Sequence, residues 1–208
     1  MRRKWWIVLT LTALLAGLAA GFVVLRGFDW PGSPWAQGKT LDTLNGVAVY
    51  DNGPVPTISH GRNYASDGYY FGQKWQCVEF AKRYLYRARS HRMPDGMGTA
   101  VSFFDPETPQ AALNERRGMT QYRQGGLEPP APSDMIVFDD GGEGYVAIVA
   151  AVGEDFVEVV QQNVVPARER LSLTKAGGVY RIHSGRTVLG WLRVPTMQAD
   201  LETKRPRV

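Results

Sequence analysis

Apolar spacing changes character once along this chain, and the change constrains the fold more than any other feature. From Cys77 onward, Cys77, Phe80, Ala81, Tyr84, Leu85 and Ala88 recur at steps of three and four, with Lys82, Arg83, Arg87 and Arg89 on the other side. This spacing predicts an amphipathic helix. Pro94-Asp95-Gly96 ends it at the latest, and Gly68 and Gly72 mark a loop before it. Cys77 therefore falls in the first turn, where backbone amides and the helix dipole favour a thiolate. A weaker helical pattern covers Pro109 to Arg117, after which Gly125-Gly126 and Pro129 to Pro132 break the chain. Then the period shortens. Met135–Phe138 is a compact apolar run, and Tyr145–Val152 and Phe156–Gln162 flank Gly153-Glu154-Asp155, a hairpin signal. Val179–Ile182 and Val188–Val194 add two further strands. A helix followed by an antiparallel sheet is an α+β layout.

The ends of the chain read differently. Trp5 to Leu25 is a charge-free stretch of 21 residues behind Arg2, Arg3 and Lys4, and about 20 apolar residues span a bilayer as a helix. A signal peptide cleaved near Ala19-Ala20 is the competing reading, but Phe22, Val23, Val24 and Leu25 carry the apolar run past that point. Residues 1–26 are thus expected to form a signal-anchor in the cytoplasmic or inner membrane. The basic N-terminus stays inside, and the rest is exported to the periplasmic or extracellular side. Residues 27–38 read as a Gly/Pro-rich linker, 39–196 as one domain and 197–208 as a polar tail.

Four of the 24 basic residues lie within residues 1–26, leaving 20 against 20 acids in the exported part. A neutral domain argues against a nucleic-acid partner, which selects a basic face. The single cysteine excludes an intramolecular disulfide, so the fold must rest on a packed core. No metal site or cofactor is expected, because His60, His91 and His183 are scattered without ligand spacing. The arginine-rich stretch 83–92 reads as a solvated helix face.

Several local segments share one resemblance. KWQCVEFAKRYL around Cys77 resembles the nucleophile helix of CHAP domains, cysteine amidases of the papain-like group, and most of all the amidase domains of glutathionylspermidine synthetase/amidases. LNGVAVYDNG (Leu44 to Gly53), PSDMIVFD, GYVAIV, VVQQNVV and LGWLRV extend it over residues of about 40–195. The resemblance implies a papain-like fold, with the nucleophile helix packed on an antiparallel β-sheet and Cys77 at the nucleophile position. In that family the base is the histidine of a G-H-V-A-I-V strand, and the acid orienting it is the glutamate of an E-Q-N motif. Here Tyr145 stands at the histidine position and Gln161 at the glutamate position, 16 residues apart as in the family. Asn163 matches the motif's asparagine. Across a hairpin turning at Gly153-Glu154-Asp155, Tyr145 and Gln161 are expected to face one another. Asn163, Gln76 and Trp75 are the implied ligand-binding residues, and some of Tyr64, Tyr69, Tyr70 and Phe71 are expected to line the cleft.

The substitutions bear directly on chemistry. A free cysteine with pKa near about 8.5 is only a few per cent thiolate at neutral pH. An adjacent imidazole raises that fraction and returns the proton to the leaving amine. A phenol of pKa about 10 is neutral and does neither. His91, 14 residues along the helix, lies on the order of 20 Å from Cys77 at ~1.5 Å per residue. His60, His183 and Glu143 are the other available groups, each of a kind usually found at a turn or surface. The sequence therefore predicts a membrane-anchored CHAP-like domain with a degenerate triad, binding an envelope peptide, a polyamine amide or a protein partner. An active cysteine amidase acting on peptidoglycan peptides or glutathionylspermidine-type amides is the alternative.

Overall fold

The computed structural model describes residues 37–195. The expected membrane helix at 1–26, most of the linker and the tail at 197–208 lie outside the described residues. Among the described residues, no helix is long and apolar enough to cross a membrane.

The domain is mostly β-structure with one α-helix. Eight antiparallel strands form the main sheet in the order β11-β10-β9-β8-β7-β12-β6-β5. They are β5 (Ala112–Asn114), β6 (Met119–Arg123), β7 (Met135–Asp139), β8 (Tyr145–Val152), β9 (Phe156–Val160), β10 (Arg168–Ala176), β11 (Val179–His183) and β12 (Thr187–Arg193). Two small hairpins precede them, β1 (Thr40–Leu44) with β2 (Val47–Tyr50) and β3 (Arg62–Tyr64) with β4 (Tyr70–Gln73). The helix α1 (Cys77–Arg89) packs between these parts, against β8, β4 and β2.

The predicted helix at Cys77 and the hairpin at Gly153-Glu154-Asp155 are both present. Phe80, Ala81, Tyr84 and Leu85 are buried together with Val146, Ile148 and Ile136 of the sheet in one apolar core. Such burial of an amphipathic face, more than helix propensity, holds a helix of this length. Ser90 in the left-handed conformation closes it, with its N–H donating to the Leu85 carbonyl.

Two expectations are corrected. Pro109 to Arg117 is not a helix. Ala111 has φ of +58°, and residues 112–114 instead pair as β5 with β6. There the buried Asn114 side chain donates to Phe103 O and Gln121 Oε1. The polar side of α1 is not wholly solvated either: Arg87 and Arg89 are exposed, but Lys82 and Arg83 are 3% and 1% exposed. β1 to β6 and β10 carried no clear alternation in the sequence and emerge only in the structure.

Candidate functional site

The start of α1 meets the start of β8 at a cleft of about 850 Å3. Cys77 and Tyr145 both line it, and each is 8% exposed. Gly144 lets β8 begin so close to its neighbours. Its φ is +75°, and a Cβ there would lie 2.5 Å from Val101 N and 2.8 Å from Phe138 O. The helix and the strand thus bring Cys77 and Tyr145 onto one cleft.

The chemistry of the pair is not that of a thiolate and its base. Burial pushes the Cys77 thiol up to about 11, although the backbone amides of Val146 and Val78 face the sulfur and Arg186 lies near enough to pull the other way. Desolvation outweighs the helix N-terminus here, because it acts against the charged form itself. The Tyr145 phenol is also raised well above its ordinary value, first by burial and then by the neighbouring Cys77. Its hydroxyl donates to the Gln162 carbonyl at 2.6 Å. The phenol proton is therefore committed to a backbone acceptor, and the group is neutral at physiological pH.

Gln161 does not orient Tyr145. Its side-chain amide donates to Pro166 O at 3.2 Å and to Glu169 Oε2 at 3.1 Å, turning towards β10. The expected pairing of Tyr145 with Gln161 is absent; the residue that meets Tyr145 is the next one, Gln162, through its carbonyl.

Gln162 belongs to a buried polar network beneath the helix. Its Nε2 donates to Glu79 Oε2 at 2.7 Å and to Gln76 O at 3.1 Å, and its Oε1 accepts from Tyr50 N at 2.8 Å. Arg83 Nε lies 2.5 Å from Glu79 Oε1, and its Nη1 donates to Ala48 O at 2.8 Å. Asn63 Nδ2 donates to the same Glu79 oxygen at 2.7 Å. This ties β2, β3, α1 and the segment after β9 to the residue that precedes Cys77.

The remaining predicted ligand residues are placed as follows. Gln76 Nε2 donates to Pro56 O at 3.0 Å and Ile58 O at 3.1 Å. Asn163 Nδ2 donates to Pro56 O at 2.8 Å and Gln76 Oε1 at 2.7 Å. Both line the cleft, yet their donors hold the 53–59 loop in place. Pro56 O accepts a third bond, from Asn52 Nδ2 at 3.1 Å. Trp75 does not line the cleft; its ring packs on Tyr50, with centroids 4.2 Å apart. Tyr70 and Phe71 do line it.

No histidine lines the cleft. His60 Nε2 bonds to Asn52 O, His91 Nε2 to Arg117 O and His183 Nε2 to Thr174 Oγ1. Among the described residues there is no grouping of side chains able to hold a metal ion. Charged cleft residues that the sequence did not single out for the site are Lys82, Asp140 and Arg186; Glu143, one of the groups weighed as a substitute, lies at the exposed rim. Burial lowers the Lys82 ammonium to about 8; its Nζ donates to Gly96 O at 3.0 Å and lies over the Tyr69 and Tyr70 rings.

With that geometry established, the relationships are consistent with it. Residues 68–163 match the CHAP domain family model. The bifunctional glutathionylspermidine synthetase/amidase of Escherichia coli (strain K12) is 26% identical over 163 residues, covering 71% of this chain and 26% of that protein. The trypanothione synthetase of Crithidia fasciculata is 27% identical over 182 residues, covering 77% of this chain and 28% of its own length. The glutathionylspermidine synthase of the same organism is 31% identical over 138 residues, covering 59% of this chain and 19% of its own length. This chain thus spans about a quarter of the length of the curated relatives it matches.

Proposed function

We propose that this CHAP domain is a ligand-binding cleft for an amide or peptide of the cell envelope, held at a membrane by the apolar N-terminal stretch, and that it does not hydrolyse its ligand by the thiol–imidazole route. The observation that carries the reading is the Tyr145 hydroxyl donating to Gln162 O at 2.6 Å beside a buried Cys77. Acyl transfer needs a group that takes the thiol proton and later delivers it to the leaving amine. A phenol already donating its proton, with a pKa above its ordinary value, does neither.

A second reading, an active amidase acting through Cys77, is favoured by the amide groups of Val146 and Val78 around the sulfur and by a curated relative named as an amidase. Incubation with glutathionylspermidine and with muropeptides separates the two. No turnover above the Cys77→Ala variant is expected. Turnover that disappears in Cys77→Ala establishes the second reading and removes the first.

Restoring the family residues tests the same point from the other side. Gln161→Glu alone places a carboxylate where Glu169 Oε2 now accepts a hydrogen bond at 3.1 Å, and two like charges there repel. The reconstruction therefore combines Tyr145→His and Gln161→Glu with Glu169→Gln. Hydrolysis by this triple variant, absent from the parent, is the expected result.

A further inference from the structure

The turn between β11 and β12 carries Arg186 onto the cleft wall. Its guanidinium carbon lies 4.5 Å from the centroid of the Tyr145 ring, within cation–π range. Its backbone N–H donates to Ser184 Oγ at 3.2 Å. Among the described residues the guanidinium itself makes no hydrogen bond and no ion pair. Other half-buried arginines in this fold find oxygen acceptors: Arg168 pairs with Asp42 and Glu158, Arg193 with Asp134, and Arg123 donates to the Pro106 and Thr108 carbonyls. Arg186 lies over a ring and lines the cleft with its guanidinium donors unpaired among the described residues.

The cleft acids do not cancel that charge. Asp140 Oδ1 accepts from the Gly142 and Gly144 amides at 3.0 and 2.9 Å, and Glu143 is exposed. The other cleft cation, Lys82, donates to a carbonyl, Gly96 O, and has no carboxylate within ion-pair distance among the described residues. A planar guanidinium with free donors matches a carboxylate, which accepts two parallel N–H bonds.

We propose that Arg186 is the specificity residue of this cleft, seating a carboxylate of the amide ligand beside Cys77. The proposal rests on the cleft being a ligand site, but its test needs no knowledge of the ligand. Iodoacetate and iodoacetamide alkylate thiols alike and differ in carrying a carboxylate or a neutral amide. Cys77 is the single cysteine of the chain, so every thiol adduct reports this position.

Both rates are measured on the full chain at pH about 8.5 and low ionic strength, with 2-mercaptoethanol as the neutral free-thiol reference. Relative to that reference, Cys77 is expected to favour iodoacetate by about ten-fold, the factor that one well-placed charge contact supplies. Arg186→Gln is expected to return the ratio to that of the free thiol, and Arg186→Lys to keep part of the preference. A wild-type ratio equal to the free thiol, or one unchanged in Arg186→Gln, overturns the proposal. Either result leaves the non-hydrolytic reading standing, whereas amide turnover removes that reading without moving the alkylation ratio.

Discussion

Two polar groupings meet at the first turn of α1, and they are built to different standards. Beneath the helix, Glu79, Arg83, Gln162 and Asn63 form a buried network whose charges are paired and whose amides reach backbone partners. At the cleft, Cys77 and Tyr145 are equally buried, but neither has a partner that would charge it. The first grouping fixes where the helix begins; the second is where a CHAP amidase would do its chemistry. Residues 161 and 162 sum up the contrast. Gln162 is tied into the network by its side chain and to Tyr145 by its carbonyl, while Gln161 turns away to Glu169. Gln162 thus fixes the start of the helix, while Cys77 and Tyr145 stay neutral beside it, as the proposed binding cleft requires.

The sharpest way to break the contrast is to remove one partner from each grouping. Glu79→Ala leaves the Arg83 guanidinium buried and unpaired, and a loss of about 3–5 kcal/mol is expected in denaturant unfolding. Tyr145→Phe removes one hydrogen bond and leaves one carbonyl short of a donor, so a smaller loss of about 1–2 kcal/mol is expected in the same measurement. Equal losses would mean that the cleft pair supports the fold as much as the network does. The two groupings would then share one structural role.

How much of this was legible in the sequence follows from the range of each interaction. The helix from Cys77 and the hairpin through Gly153-Glu154-Asp155 were visible because their signals are local, one a period and the other a turn. β10 was not, because only Leu171 and Leu173 of its nine residues are buried, and the rest are exposed apart from the half-buried Arg168. Lys82 and Arg83 looked solvated because what buries them is distant in sequence. Gln162 lies 79 residues from Arg83, and Ala48 lies 35 residues away. Tyr145 and Gln161 were singled out only by the family pattern, and the structure puts Tyr145 on the same cleft as Cys77. The pattern misled on Gln161 because an amide donates where a carboxylate accepts. The Gln161 side chain found Pro166 O and Glu169, both of which lie only a few residues away. Arg186 gave no signal at all, being one arginine in a Ser-Gly-Arg turn whose contact with Tyr145 exists only after folding.

The protonation state of Cys77 decides between a binding cleft and an activated nucleophile, and it is open to direct titration. The rate of Cys77 alkylation by iodoacetamide, followed from pH 6 upward, reports the thiolate fraction at this one cysteine. A thiol raised by burial reacts slowly at neutral pH, and its rate climbs towards a midpoint near about 11. A midpoint below neutrality, with rapid alkylation at pH 6, would contradict the account. It would mean that Cys77 is held as a thiolate and that the cleft retains an activated nucleophile.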